Sequence, residues 1–355
     1  MSMLANLKPV APDPLVRSMQ LFAADSRPHK VNLGVGVYYD DSSKIPVLKA
    51  VKEAEKRLQA RKAPWAYLST DGLDTLRHAT VDLVFGDAAS PELHKCTMTA
   101  QTPGGTGAVR LGMELVRKLV PDAVVAISRP SWPNHRSIIE AVGLRVTEYA
   151  YYDPAHDGVR FDEMMSDIER LPEGSVVVLH GCCHNPTGND LLHSQWSDLI
   201  LLMRRRGLIP FIDMAYQGFG GGLHTDSWAV SQFAHQISPV FVAASFSKSF
   251  SLYGERVGVL CVSTAKPEQA QSLAQQARVI TRVLHSSPPS HGAYLVSEVL
   301  NDPELRASWE TELGSMRTRI QSVRREFVER LHQGNPTQDF SFVTEQRGLF
   351  SFTKL

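Results

Sequence analysis

Residues 240–248 of the chain are Val240-Phe241-Val242-Ala243-Ala244-Ser245-Phe246-Ser247-Lys248. The first five residues are apolar, which predicts a buried strand. Two serines and a lysine follow where that strand ends, and Arg256 comes eight residues after the lysine. An amine with hydroxyls and a guanidinium nearby can hold an aldehyde cofactor as a Schiff base and bind its phosphate. The alternative interpretation of Lys248 is a solvated loop residue, as most lysines are.

A second apolar run ends in a carboxylate. Phe211 and Ile212 precede Asp213, and Tyr216 follows three positions later. Ligands of open α/β sheets bind beyond the carboxyl ends of the strands, so neighbouring strands can bring Asp213 and Lys248 to one site. A carboxylate against a pyridine nitrogen keeps that ring protonated and electron-withdrawing. The two strand ends together predict a site for pyridoxal phosphate.

The spacing of the apolar runs predicts an α/β fold. Runs at 124–129, 176–181, 208–213 and 240–245 alternate with helical stretches, as βαβ units of a mostly parallel sheet should. Ser194 is expected to cap one of these helices, which ends in a basic run before Gly207. Residues 304–331 carry alternating charges, such as those of Arg317 and Arg324, and predict a solvated helix that bridges two domains.

Polar residues also follow the run at 176–181. Asn185 begins the sequence Asn-Pro-Thr-Gly, and its side chain and Tyr216 could both bind a phenolic oxygen of the cofactor. Pro186 is a candidate for a cis peptide bond. Taken alone, the four residues would indicate an ordinary turn.

A phosphate site is expected where a helix begins. Thr102-Pro103-Gly104-Gly105-Thr106-Gly107 precedes a stretch from Ala108 with helical periodicity. Free amides and the helix dipole at such a start bind anions, and glycines allow close approach, which assigns Gly105 and Thr106 to the phosphate. A dinucleotide fingerprint fails because Arg110 stands where its last glycine belongs, so a Rossmann dehydrogenase is disfavoured.

Trp132 follows the run at 124–129 and offers an aromatic ring at a further strand end. It can stack on the cofactor, and a core tryptophan is the alternative.

These motifs resemble the class I aminotransferases for aspartate and aromatic amino acids, which are fold type I pyridoxal phosphate enzymes. The resemblance covers almost the whole chain. It is carried in family order by residues 32–38, 101–107, 180–188, 215–219 and 249–258.

The resemblance implies a role for each matching residue. Lys248 is the Schiff-base lysine and the base, and Asp213 pairs with the pyridine nitrogen. Asn185 and Tyr216 bind the phenolic oxygen, and Trp132 covers the ring. The residues implied to bind phosphate are Gly105, Thr106, Ser245, Ser247, Arg256 and Tyr67. Those implied to bind substrate are Gly36, Trp132, Asn185 and Arg282.

The resemblance also implies a homodimer, because Tyr67 and Arg282 would reach the neighbouring subunit's site. Leu284 and His285 depart from the asparagine and tyrosine that the family usually has there. Tyr39, Ile45 and Ala66 are less polar than in aspartate-selective members. They indicate a broad enzyme for aspartate, glutamate, phenylalanine and tyrosine with 2-oxoglutarate as acceptor.

The chain stops at Leu355, where the family continues with a stretch that carries an arginine for the substrate's α-carboxylate. The expected domains are a large one at 40–305 and a discontinuous small one at 1–39 and 306–355, truncated at its C-terminal part. Two alternatives to transamination therefore stay open. One is another pyridoxal phosphate reaction, such as β-elimination or decarboxylation, and the other is an inactive cofactor-binding fragment.

Composition limits the remaining possibilities. Lysine plus arginine and aspartate plus glutamate both total 37, so nothing suggests nucleic acid or an anionic membrane as partner. No run approaches about 18 apolar residues, and residues 1–16 lack a signal-peptide core. The four cysteines lack Cys-x-x-Cys spacing, which favours a reducing compartment, the cytoplasm. No metal is expected, because adjacent residues around Cys182 would point to opposite faces of a strand.

Overall fold

The computed structural model describes residues 14–32, 34, 36–62, 64 and 66–351. The described residues up to Val37 form one compact unit, and those from Tyr38 onward form a second. Helix α1, Pro14–Ala24, belongs to the first unit. The domain boundaries expected from the sequence stay a prediction.

The second unit contains the other helices and all the strands found among the described residues. The helices are α2 Lys49–Ala60, α3 Asp74–Phe85, α4 Pro91–Lys95, α5 Gly104–Leu119, α6 Pro133–Val142, α7 Phe161–Glu169, α8 His193–Arg205, α9 Leu223–Gln236, α10 Pro267–Leu284, α11 His291–Asn301, α12 Pro303–Gly334 and α13 Phe342–Glu345, with a short 3₁₀ helix at Gly86–Ala88. The strands are β1 Thr97–Pro103, β2 Val124–Arg129, β3 Arg145–Ala150, β4 Tyr152–Asp153, β5 Gly158–Val159, β6 Val176–His180, β7 Ile209–Met214, β8 Val240–Ser245 and β9 Val257–Ser263.

Seven strands form one sheet in the order β1-β9-β8-β7-β6-β2-β3. Neighbours from β8 through β3 run parallel, whereas β9 lies antiparallel between β1 and β8. The four predicted apolar runs coincide with β2, β6, β7 and β8 to within one residue. The predicted α/β fold with a mostly parallel sheet is confirmed.

The central strands are buried on both faces of the sheet. Every residue of β6 is buried, with Val177 and Leu179 in one apolar cluster and Val176 and Val178 in another. Successive side chains of a strand point to opposite faces, so two separate apolar layers cover the sheet. This double burial explains why the sequence of the strand is a continuous apolar run.

Aromatic packing fixes the loop that follows β8. Phe246 and Phe250 are buried, and Phe250 stacks on Trp309 of α12 with ring centroids 4.5 Å apart. The indole nitrogen of Trp309 donates a hydrogen bond of 2.8 Å to the carbonyl oxygen of Ser249. Lys248 therefore lies on a loop that is held at both sides.

Two local predictions were wrong. Helix α8 begins at His193, so Ser194 is not its cap; Leu192 occupies that position, and its amide donates to Gln195 Oε1 at 2.9 Å. Helix α12 is not solvated at Arg324, which is buried. The pattern of alternating charges did not show that this one arginine faces the interior.

Candidate active site

Five strand ends and one strand start meet at a single edge of the sheet. Because β1, β8, β7, β6 and β2 point the same way, the residues that follow them share one edge. Strand β9 runs in the opposite direction, so Arg256, which precedes it, reaches the same edge. The topology thus brings together the predicted residues at 105–106, 132, 185, 213–216, 245–248 and 256.

The residues predicted to bind the phosphate lie at the N-terminus of α5. The helix begins at Gly104, whereas the sequence pattern indicated Ala108, so Gly105 and Thr106 lie in its first turn. The Gly104 amide donates to the carbonyl oxygen of Arg256 at 2.8 Å. First-turn amides have no acceptor within their own helix, which leaves those of Gly105 and Thr106 available to an anion.

Ser245, Ser247 and Arg256 lie beside this helix start. The Nη1 atom of Arg256 donates to Ser247 Oγ at 3.3 Å, and Ser245 Oγ is 3.4 Å from Ser247 Oγ. A Cβ atom added at Gly105 would come within 2.8 Å of Ser245 Cβ. At Gly104, where φ is +72°, an added Cβ would collide with the Arg256 guanidinium. Close backbone approach therefore requires both glycines.

Lys248 faces Tyr216 across the site. Its Nζ atom lies 5.1 Å from the centroid of the Tyr216 ring. Burial lowers the pKa of Lys248, the Arg256 charge lowers it further, and Asp213 opposes both. A lowered pKa increases the fraction of neutral amine, which is the form that attacks an aldehyde.

Asp213 is buried and hydrogen-bonded on one side only. Its Oδ2 atom is joined to His135 Nε2 at 2.9 Å, and His135 Nδ1 is joined to Ser131 Oγ at 3.0 Å. Burial raises the pKa of Asp213, but the His135 bond and the charges of His135, His180 and Lys248 outweigh it, so the pKa is lowered. Among the described residues no donor reaches Oδ1, which leaves that oxygen for a protonated ring nitrogen.

His135 is a site residue that the sequence reasoning missed. It is fully buried on α6, one turn after Trp132. A histidine in the buried face of a helix that follows a functional strand end was the available signal, and its partner Asp213 is 78 positions away.

Asn185 and Tyr216 form the other polar side of the site. Tyr216 is buried, and Asn185 is partly buried. Burial and the Asp213 charge raise the pKa of the Tyr216 phenol. The backbone amide of Asn185 donates to His180 Nδ1 at 3.3 Å, and the Asn185–Pro186 peptide bond is cis, as predicted. Burial and neighbouring charges lower the pKa of His180, which keeps this imidazole an acceptor.

Trp132, Tyr67 and Arg282 lie at the margin of this cluster or outside it. The Trp132 ring is partly exposed and meets His135 edge-on at 5.1 Å. Tyr67 is 96% exposed, and exposed Arg282 donates to Ser286 Oγ at 2.6 Å. Gly36 belongs to the N-terminal unit. The roles assigned to these four residues stay predictions.

Two further groups of residues were singled out in the sequence, one for the substrate range and one because it departs from the family pattern. Their members differ in exposure. Ile45 and Ala66 are exposed and Tyr39 is half-buried. Leu284 is 38% exposed, and His285 Nε2 is buried without a hydrogen-bond partner among the described residues. Burial lowers the pKa of His285.

Two further findings concern metals and membranes. Cys182, Cys183 and Asp226 are the single group of potential ligands found among the described residues, with ligand atoms within 4.8 Å of one another. The Asp226 carboxylate already accepts hydrogen bonds from three backbone amides, those of Gly218, Gly220 and Gly221.

In the described part of the chain, no helix has the length and apolar character needed to cross a membrane.

The donor set fits pyridoxal phosphate. The amides of the α5 N-terminus and Arg256 suit its phosphate, the free oxygen of Asp213 suits its ring nitrogen, and Lys248 suits its aldehyde. Presented at one edge of a mostly parallel sheet, these groups define a pyridoxal phosphate enzyme of fold type I.

Comparison with known proteins gives the family. The model of aminotransferase class I and II matches residues 28–355. The aspartate aminotransferase of Pseudomonas aeruginosa is 47% identical over 100% of this chain and 89% of its own length. The aromatic-amino-acid aminotransferase of Escherichia coli is 44% identical over 97% of this chain and 87% of its own. The chain belongs to the aminotransferase class I and II family.

A solved structure supports the same assignment. The aromatic-amino-acid aminotransferase from Burkholderia pseudomallei, covalently bound to pyridoxal phosphate, is 46% identical and covers 100% of this chain and 89% of its own, with a TM-score of 0.97. The predicted family, fold type, enzyme class and cofactor are confirmed: the chain is a pyridoxal-phosphate-dependent aminotransferase.

Proposed function

We propose that this aminotransferase moves amino groups between aspartate or glutamate, or phenylalanine or tyrosine, and a 2-oxo acid such as 2-oxoglutarate. The observation that carries the proposal is the placement of Lys248, Asp213 and Tyr216 at one edge of the sheet. The similarity to enzymes named for aspartate and to others named for aromatic amino acids supports the broad range.

The chain's own residues divide the work. Pyridoxal phosphate, when bound, supplies a ring that withdraws electrons from the substrate carbon next to the amine. Nζ of Lys248 is the base that moves a proton between that carbon and the aldehyde carbon of the cofactor, helped by its lowered pKa. Asp213, held by His135, keeps a negative charge against the ring nitrogen.

The other site residues bind and orient. Gly105, Thr106, Ser245, Ser247 and Arg256 hold the phosphate through amides, hydroxyls and a guanidinium. Asn185 and Tyr216 bind the phenolic oxygen, Trp132 covers the ring, and Gly36, Trp132 and Asn185 contact the substrate.

The active form is a homodimer in this proposal, with Tyr67 and Arg282 completing the site of the partner subunit. Both side chains are exposed, and the segments that carry them touch, because Ser287 Oγ donates to the carbonyl oxygen of Leu68 at 2.8 Å. A guanidinium is suited to bidentate binding of a distal carboxylate. The four free thiols support a cytoplasmic location.

The first test measures amino transfer directly. The purified protein with pyridoxal phosphate is given aspartate or phenylalanine and 2-oxoglutarate, and both the new 2-oxo acid and glutamate are quantified. We expect equal amounts of the two products and a loss of about a thousandfold or more in Lys248→Ala. Lys118→Ala, at an exposed lysine on α5, is the matched control and should retain the rate.

Three outcomes would contradict the proposal. A 2-oxo acid formed without glutamate would indicate elimination, and carbon dioxide release would indicate decarboxylation. Strict preference for aspartate would refute the aromatic substrates alone.

A further inference from the structure

Arg324 is a buried cation whose donors all serve one segment. It lies on α12 and is 5% exposed. Its Nη1 atom donates to the carbonyl oxygen of Gln346 at 2.6 Å, and Nη2 donates to those of Gly348 at 2.7 Å and Phe350 at 2.5 Å. Its Nε atom donates to Ser351 Oγ at 3.1 Å. We call this set of four hydrogen bonds the Arg324 clamp.

The clamp is specific to a guanidinium. No carboxylate in the described part of the chain lies within ion-pair distance of Arg324, and the partners that the structure describes are three carbonyl groups and one hydroxyl. Burial lowers the pKa of Arg324, yet arginine stays protonated in proteins, so the donors must be satisfied. A planar fork that reaches three alternate carbonyl groups fixes the path of the backbone that carries them.

That backbone, residues 346–351, runs along the polar side of the active site. The Arg347 amide donates to the carbonyl oxygen of Gly188 at 2.8 Å. At Gly348, where φ is +81°, an added Cβ would lie 2.5 Å from Cys183 Cβ. The segment is therefore pressed against the loop that carries Asn185.

The end of the segment reaches Tyr216. The Phe350 ring meets the Tyr216 ring edge-on, with centroids 5.8 Å apart and planes at 79°. The same Tyr216 ring faces Nζ of Lys248. A displacement of Phe350 thus acts on the wall of the site next to the catalytic amine.

We propose that Arg324 is a positioning residue for the amino acid substrate. It acts through the 346–351 backbone, which holds Phe350 against Tyr216 and so shapes the place where the substrate side chain lies. This inference rests on the proposed aminotransferase function, but the clamp itself is a property of the chain that can be measured without turnover.

The test compares Arg324→Met with Arg325→Met, the same change at the exposed neighbouring arginine of α12. In Arg324→Met we expect amide hydrogen exchange in 346–351 to become about tenfold faster or more. KM for aspartate and phenylalanine should rise about tenfold, with kcat changed less than about threefold. The affinity for pyridoxal phosphate should stay within about twofold of the wild type, because the clamp residues are not among those proposed to bind its phosphate. Arg325→Met should match the wild type, and Arg324→Lys should recover part of the KM loss.

Other outcomes overturn the inference. Unchanged exchange and KM in a folded Arg324→Met would refute it, and so would cofactor affinity that falls in parallel with KM. If Arg324→Met does not fold, Phe350→Leu keeps the clamp and should raise KM with unchanged exchange at 346–349; an unchanged KM there refutes the inference. A wild-type protein that transfers no amino group refutes the proposed function instead, while the exchange measurement still decides whether the clamp exists.

Discussion

His184 shows how burial of one residue ties stability to pH. Its ring is hydrogen-bonded to Ser128 Oγ and Thr187 Oγ1, both at 2.9 Å, and stacks on Tyr151 at 3.9 Å. Burial, with a smaller effect of the His135 charge, lowers the pKa of His184 to about 3. In an unfolded chain the same imidazole titrates near about 6.5.

The sign of the effect follows from proton uptake. Between about pH 6.5 and about pH 3 the unfolded chain binds a proton at His184 that the folded protein does not. The folded state therefore has the full benefit of a neutral His184 above about pH 6.5 and loses it as pH falls through that window, on the order of 5 kcal/mol in all.

Urea unfolding at pH 7.5 and pH 5.0 tests this residue. Between the two pH values the wild type should lose about 2 kcal/mol more unfolding free energy than His184→Gln. His332→Gln, at an exposed histidine, should keep the pH dependence of the wild type. Equal losses in all three proteins would refute the assignment of a buried, neutral His184.

At the scale of elements, the proposed phosphate site at the start of α5 can be tested by its effect on cofactor affinity. Gly104→Ala would force a side chain into positive φ and against Arg256. We expect the Kd for pyridoxal phosphate to rise about tenfold or more and the unfolding free energy to fall by about 1 to 3 kcal/mol. Cofactor titration by absorbance measures the first effect.

Gly254→Ala is the matched control, because an added Cβ there meets no atom within 4 Å. It should bind the cofactor like the wild type. Equal affinities in both variants would show that the α5 start does not form the phosphate site.

The elements differ in how far the sequence predicts them. Strands β2, β6, β7 and β8 could be placed to within one residue, since burial on both faces makes each an uninterrupted apolar run. The start of α5 was misplaced by four residues, because its glycines are poor helix formers and only tertiary contacts make them helical.

The site could be predicted where a residue follows a strand end and not where a distant helix supplies it. Asp213 lies at the end of β7, and Lys248 follows the end of β8. These two strands are adjacent in the sheet, so topology alone brings the two residues together. His135 and Arg324 lie on helices, and their partners are far away in sequence. In addition, the partners of Arg324 are mostly backbone carbonyls, which leave no residue-type signal.

At the scale of the whole molecule, the proposed dimer predicts complementation between two inactive proteins. Lys248→Ala lacks the catalytic amine, and Arg282→Ala lacks the group offered to the partner. A hybrid dimer would contain one intact site and one doubly defective site. After unfolding and refolding of an equal mixture, about a quarter of wild-type activity toward aspartate should return, since half of the dimers are hybrids.

The control is an equal mixture of Lys248→Ala with Asp213→Ala. Both changes fall within one subunit's own site, so no hybrid restores it. Activity that stays absent from the Arg282→Ala mixture, with dimers verified by light scattering, would show that Arg282 does not serve the partner's site.

Helix α12 joins two walls of the site mechanically. Trp309, near its start, donates a hydrogen bond to the loop of Lys248. Arg324, fifteen residues later, donates to the backbone of Phe350, whose ring contacts Tyr216. A helix of that span measures about 22 Å between the two attachments and is stiff along its axis. A rigid tilt of α12 would displace both attachments at once. The positions of the Lys248 loop and of the Tyr216 side of the site are therefore coupled through this helix.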